Sequence, residues 1–280
     1  MSLKSTISSG LTRLLFLVYT ERVKQITKKI GIHSNLTSIY WTIQSRFHDN
    51  TATVSVDNIE AAFTISTVEE YYRFHNLVGE ERIISDLLSE VYSDDVFFDI
   101  GANVGMYTCF VAQKLPKDQV VAFEPHPINV STLRENLMLN NIDATIKECG
   151  LSNRETEGKL AVSSDRSGEG RHSLAVSEDE KTLPITLHRG DSLIQREEVP
   201  SPTILKIDVE GAEVSVLEGL RTALQETCRL CYVEVHPDRL SNYDSTIDDL
   251  QYLFEECGFD IEIIGQRKDD EYFIKAVARE

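Results

Sequence analysis

No run of this sequence is apolar for long enough to cross a bilayer, which takes about 20 residues. The run Leu14 to Tyr19 stops far short of that. Basic residues are scarce: 28 Lys and Arg face 46 Asp and Glu, for a net charge of −18. A field of that sign repels phosphates, which excludes a nucleic-acid partner unless a basic patch is set apart. Cysteines number five, and Cys109, Cys149, Cys228, Cys231 and Cys257 are irregularly spaced. An odd, irregular set argues against a disulfide framework and for a reducing, cytoplasmic compartment. The one close pair, Cys228 and Cys231, has no second pair to complete a zinc site and runs into an apolar strand rather than opening a helix. Buried core thiols are expected there. No internal repeat is present.

What the chain does have is an ordinary globular composition, 41% apolar over 280 residues. That allows one large domain with an appendage, or two small domains. Charge is segregated. Residues 1–48 hold seven Lys or Arg and one acid, a charge of +6, which leaves −24 for the remainder. So acidic a body is compatible with plain solubility or with a halophilic, high-salt cytoplasm, where excess carboxylates keep a protein hydrated. In the basic arm, Leu11, Leu14, Leu15, Val18, Tyr19, Val23, Ile26 and Ile30 recur at spacings of three and four, which predicts an amphipathic helix over residues 11–30. Its apolar stripe can pack on the body or on a second copy of the chain. It can equally lie as a peripheral anchor on the anionic inner face of a membrane. A signal peptide fits poorly, since no small-residue cleavage site follows.

Residues 51–92 read as a small unit between arm and body. Thr51 to Val56 and Ala61 to Ile65 flank the turn pair Asp57-Asn58 as a β-hairpin, and Ile83, Ile84, Leu87, Leu88 and Val91 mark a lead-in helix. From residue 93 the pattern alternates strand and helix. Strands are expected at Val96 to Ile100, Gln119 to Phe123, Ala144 to Glu148, Thr203 to Ile207 and Cys231 to Val235, with helices at Val104 to Lys114 and Ile128 to Asn140. This is the signature of an α/β fold with a doubly wound parallel sheet. A helix from Thr246 to Cys257 then precedes a hairpin, Asp260 to Ile264 and Tyr272 to Ala278, that brings one antiparallel strand into the sheet. Residues 152–200 form an insert. Its stretch Ser163 to Thr182 is polar and expected to be mobile, and Leu183 to Leu187 reads as an extra strand.

The chemistry concentrates at strand ends, where doubly wound sheets bind ligands. Gly101 and Gly105 fall where the first body strand turns into a helix, so backbone can approach a ligand closely. Glu124 ends the next strand, where a carboxylate can accept from both hydroxyls of a ribose. The dinucleotide spacing GxGxxG is absent, and Asp99 precedes the first glycine. An acid there repels a pyrophosphate but favours S-adenosylmethionine, which carries a sulfonium and an ammonium and no phosphate. Asp208 and Glu210 are two apart after the fourth strand, as are Glu234 and His236 at the fifth. If extended, each pair projects to one face, and on neighbouring strands all four would converge.

Asp99-Ile-Gly101-Ala-Asn103-Val-Gly105, Glu124-Pro125, the run Leu205 to Glu213 and Glu234-Val-His236-Pro237 together resemble, in order, the motifs of the FkbM family of S-adenosylmethionine-dependent methyltransferases. The likeness covers about residues 80–280. It implies the class I methyltransferase fold: a doubly wound, mostly parallel seven-stranded sheet with an antiparallel last strand. It implies S-adenosyl-L-methionine as methyl donor, S-adenosyl-L-homocysteine as product, and usually transfer to a hydroxyl oxygen. By the same likeness Asp99, Gly101, Asn103, Gly105 and Glu124 are cofactor contacts, and Gly150-Leu151 lies where adenine is held. Cys149-Gly150 departs from the small apolar pair expected there.

Transfer to oxygen requires positioning the acceptor and removing its proton. His236 is the first choice as base, because its ordinary pKa of about 6.5 is near operating pH. Asp208 and Glu210 come second, and Lys206 and Glu234 are expected to contact substrate. The alternative for His236 is a capping residue locked by Pro237. No metal is assigned, although Asp208, Glu210, Glu234 and His236 offer ligands for a divalent ion. The acceptor is expected to be a small molecule, a sugar or a glycan. The contrasting reading is a catalytically silent cofactor-binding module that docks a membrane or partner complex, against which intact Asp208, Glu210 and His236 argue.

Overall fold

The computed structural model describes residues 50–66, 70, 71, 73, 74, 77–161, 182–267 and 271–279. The basic arm, with the helix expected at residues 11–30, and nearly all of the polar stretch within the insert lie outside the described residues. Among the described residues no helix is long and apolar enough to cross a membrane.

Four short strands, β3 (Phe97–Ile100), β4 (Val120–Phe123), β9 (Ile204–Ile207) and β10 (Leu230–Val235), are buried along their whole length. Their near-continuous apolar runs suit strands covered on both faces. Successive side chains point to opposite faces, so two cores form. Phe97, Val120 and Tyr232 pack on one side with helices α1 (Glu80–Glu90), α2 (Met106–Val111) and α3 (Pro127–Leu139). Phe98, Phe123 and Val233 pack on the other with α5 (Glu213–Gly219), α6 (Arg221–Glu226) and α8 (Ile247–Glu256). The hairpin β1 (Thr51–Val56) and β2 (Ile59–Thr64) joins the first core. It is pinned to α3 by Asn136, which accepts from Thr64 N, and by Asn140, which bonds both N–H and C=O of Ala62.

The sheet order is β11-β12-β10-β9-β3-β4-β5, with β5 at Thr145–Lys147, β11 at Phe259–Gln266 and β12 at Tyr272–Ala278. The pairings from β10 to β5 are all parallel, and β12, the chain's last strand, is antiparallel to both neighbours. Seven strands, mostly parallel with an antiparallel last strand, is the class I methyltransferase sheet. The strand order reverses between β3 and β9, and that switch point opens the ligand crevice.

Three features differ from the sequence reading. The helix expected from Val104 starts at Met106, because Asn103 and Gly105 hold positive φ of 53° and 86° and only then does the chain turn helical. The insert is more ordered than expected on either side of residues 162–181. β8 (Thr182–His188), which contains the extra strand expected at Leu183 to Leu187, pairs with β7 (Thr156–Ala161) on one side and with the two-residue β6 (Gly150–Leu151) on the other as a separate three-stranded sheet, followed by α4 (Gly190–Gln195). Finally, β9 ends at Ile207, so Asp208 and Glu210 do not sit on an extended strand.

Candidate active site

The cleft at the switch point opens to solvent and is lined by the ends of β3, β4 and β9 and by the insert's sheet. Its floor is the turn after β3. Gly101 has φ +79°, and a Cβ there would lie 1.9 Å from the carbonyl oxygen of Asp208, so only glycine lets the two strand ends approach so closely. Gly105 has the same need: a Cβ would meet Leu133 Cδ1 at 2.2 Å.

Glu124 organises that turn. Its Oε2 accepts from Asn103 N at 2.8 Å; its Oε1 accepts from His126 N at 2.8 Å and from Asn129 Nδ2 at 3.4 Å. Burial dominates its ionisation, and although these donors pull the other way the carboxyl is pushed up to about 7. One wall is apolar, made by Phe123, Leu151, Leu160, Ile185 and Leu187. Leu160, Ile185 and Leu187 come from the insert's own sheet, whose contribution the sequence motifs did not signal. Gly150 belongs to the same wall, where a Cβ would sit 2.6 Å from Leu187 Cδ2.

The opposite wall is anionic. Asp208, Val209 and Glu210 line it, and with Glu124 they make every charged residue lining the cavity, among those described, a carboxylate. Glu210 adopts φ 56° and Gly211 φ 108°. This tight turn lays Glu210 against the guanidinium of Arg239. Burial raises the Asp208 carboxyl, but the charges of Lys206, His236 and Arg267 outweigh it and hold the group below the ordinary carboxylate range.

Asp99 takes a different position from the one its place before the glycines suggested. It is fully buried and does not line the cavity. Its Oδ2 accepts from the backbone N–H and the hydroxyl of Thr108 at 3.0 and 2.6 Å, and Lys206 Nζ stands 3.6 Å from Oδ1. The two face each other across the β3/β9 register. Lys206 bridges on to Asp208 Oδ2 at 3.5 Å and lies 4.7 Å over the Tyr107 ring. A pyrophosphate is therefore disfavoured by Asp208 and Glu210 rather than by Asp99.

Behind this wall β9 and β10 are neighbours, and of the four groups expected to converge three come together, with Glu210 reaching His236 alone at 3.7 Å. Asp208, Glu234 and His236 each place one ligand atom within 4.8 Å of the others. His236 stands at the N-cap position of α7 (Pro237–Leu240), before Pro237, but its side chain makes no capping hydrogen bond. Its ring is 3% exposed and its Nδ1 meets Glu213 Oε1 at 2.7 Å. Glu213 also accepts from Gly211 N at 2.9 Å. Burial lowers the imidazole pKa, but Glu213 and the charges of Asp208 and Glu234 outweigh it and lift it to about 9. The surroundings therefore raise the imidazole above the ordinary value on which its choice as base rested. Glu234 is pushed up to about 8, by burial first and then by Asp208, against the pull of Arg267.

Sequence reasoning missed two partners. Glu213 lies within the quoted motif, but its role follows from a helix start that no pattern announced. Arg267, which pairs with Glu80 at 2.8 Å and Glu234 at 3.0 Å, lies between the two strands of the last hairpin, where no motif marks it. All five cysteines are free, with the Cys228 and Cys231 sulfurs 3.5 Å apart in the core.

A glycine-floored crevice at the switch point of a sheet with this strand order defines an α/β enzyme of the class I methyltransferase type. The family comparison carries this to a particular group. The family model of the methyltransferase FkbM domain matches residues 99–261. The chain is 32% identical over 220 residues to the hexuronic acid methyltransferase AglP of Haloferax volcanii, covering 78% of this chain and 86% of that protein. It is 26% identical over 200 residues to the 31-O-demethyl-FK506 methyltransferase FkbM of Streptomyces tacrolimicus, covering 61% and 75%. The crystal structure of methyltransferase FkbM from Methylobacillus flagellatus aligns at 20% identity and a TM-score of 0.49, over 75% of this chain and 50% of that one. The protein belongs to the FkbM methyltransferase family and is a methyltransferase.

Proposed function

We propose that the protein transfers a methyl group from S-adenosylmethionine to a hydroxyl oxygen of a sugar or glycan, with a uronic-acid-containing saccharide the leading acceptor. The observation that carries the choice of donor is the charge of the cavity. Its described lining offers carboxylates and a glycine floor but no Lys or Arg, which suits a nucleoside with a cationic tail and no phosphate. The residues fit that ligand in other respects. The apolar wall can cover a purine, Glu124 retains acceptor capacity for ribose hydroxyls, and Asn103 Oδ1 is buried without a hydrogen-bond partner. Bound there, S-adenosylmethionine would supply an electrophilic methyl carbon on a sulfonium.

The chain's own residues would do the rest. Gly101 and Gly105 keep the floor open, and Asp208 and Glu210 face the donor's positive end. The acceptor oxygen would sit against Asp208 and Glu210, which line the cleft with His236 buried behind them, and these groups must hold it in line and dispose of its proton. The uronic acid rests on likeness to AglP, whose name states that acceptor class. Incubation with methyl-labelled S-adenosylmethionine and a panel of neutral and uronic-acid oligosaccharides tests the reading by mass spectrometry. One added methyl per acceptor, absent with Asp208→Asn, is expected. Labelling of no saccharide by protein that binds the donor would remove the sugar acceptor.

A further inference from the structure

Donor binding leaves one feature of the rim unused. With Nδ1 engaged by Glu213, the buried His236 aims Nε2 at Asp208 Oδ1, 3.8 Å away, and Glu210 Oε2, 3.7 Å away. Both distances are too long for a hydrogen bond. Asp208 has Oδ2 on Lys206 and Glu234 has Oε1 on Arg267, so each keeps its second oxygen uncommitted. Donors about 2.0–2.4 Å from a common ion lie no more than about 4–5 Å apart, which is the spread found here, within 4.8 Å. Charge is also out of balance. Among the described residues, Asp99, Asp208, Glu210, Glu213, Glu234 and Glu80 face Lys206, Arg239, Arg267 and, at longer range from Asp208, Arg73 as fixed cations.

We propose that Asp208, Glu234 and His236 form a binding site for a divalent cation beside the acceptor end of the cleft, with Glu213 as the outer carboxylate that orients the imidazole. Two carboxylate oxygens and one imidazole nitrogen suit an ion such as Mn2+ or Mg2+. A metal-ligating histidine usually gives its other ring N–H to a carboxylate, which is what Glu213 provides. The ion's role rests on the methyl-transfer reading above: it would hold the acceptor hydroxyl and make it more acidic. The proton would pass to Glu210, and the carbon–sulfur bond of the donor would break as the carbon–oxygen bond forms.

The site is tested without the donor. Chelator-treated full-length protein is titrated with Mn2+ and the free ion is followed by electron paramagnetic resonance, with circular dichroism to verify folding. One saturable site per chain is expected, weakened at least tenfold by His236→Ala and by Asp208→Asn, and about 10–100-fold by Glu213→Gln. Glu124→Gln, across the cleft, should bind Mn2+ as the unaltered protein does. Absence of saturable binding by folded protein, or equal affinity in the His236 and Asp208 variants, would overturn the site. Mn2+ binding where S-adenosylmethionine fails to bind supports the site and counts against the donor reading; donor binding without Mn2+ binding does the reverse.

Discussion

Replacing Glu124 by Gln should change how stability depends on pH, in a direction the structure fixes. The carboxyl is 5% exposed, and burial lifts it from an ordinary value of 4.5 to about 7. A folded-state pKa above the unfolded one means that the native state holds its proton more tightly. Relative stability is then greatest below pH 4.5 and is lost as pH rises through 7. A rise from 4.5 to about 7 corresponds to about 3 kcal/mol, most of which is expressed between pH 5 and 8. Gln has no such ionisation, so subtracting the two proteins isolates this group from every other titration. Urea unfolding of both at pH 5, 6, 7 and 8 measures it. The unfolding free energy of the unaltered protein minus that of the variant should fall by about 2–3 kcal/mol across the range. A difference that stays level, or rises with pH, would refute the reasoning. It would mean that the N–H groups of Asn103 and His126 stabilise the anion more than burial penalises it.

Three further outcomes follow from particular contacts. Gly101→Ala combines a left-handed backbone with a Cβ 1.9 Å from the Asp208 carbonyl and should cost about 2–4 kcal/mol by urea unfolding, against the near-zero change expected of a permissive turn. Glu213→Gln removes the anion 2.7 Å from His236 Nδ1, so the imidazole titration followed by NMR should move down from about 9 by a unit or more; an unmoved midpoint would deny Glu213 its role. Arg229 holds the buried Asp95 with Nε at 3.0 Å and Nη2 at 2.6 Å. Because its side chain is 35% exposed, Arg229→Ala should cost about 2–3 kcal/mol rather than the ~3–5 of a fully buried pair, and a loss below 0.5 kcal/mol would contradict this.

The fold was legible where one local signal fixed one structure. Apolar runs such as Phe97 to Ile100 are buried on both faces, and Gly258, at φ +84°, ends α8 after its Thr246 and Asp249 capping box. The glycines after β3 were expected to let backbone approach a ligand, whereas what Gly101 approaches in the structure is the Asp208 carbonyl. What stayed hidden depends on contacts between segments distant in sequence. Asp99 reads as a ligand group until Lys206 is seen opposite it in the sheet register. His236 reads as an ordinary base until Glu213, 23 residues earlier, is found on its ring. The apolar wall from the insert's sheet needs β6, β7 and β8 to assemble, and β6 is too short for any periodicity to reveal.

The central claim is that the cavity takes a phosphate-free nucleoside with a cationic tail. Isothermal titration with S-adenosylmethionine, S-adenosylhomocysteine and NAD, at high and low salt, tests it most directly. The account predicts binding of both adenosyl ligands, none of NAD, and loss of both in a folded Glu124→Ala variant. Binding of NAD, or adenosyl binding indifferent to Glu124, would contradict it.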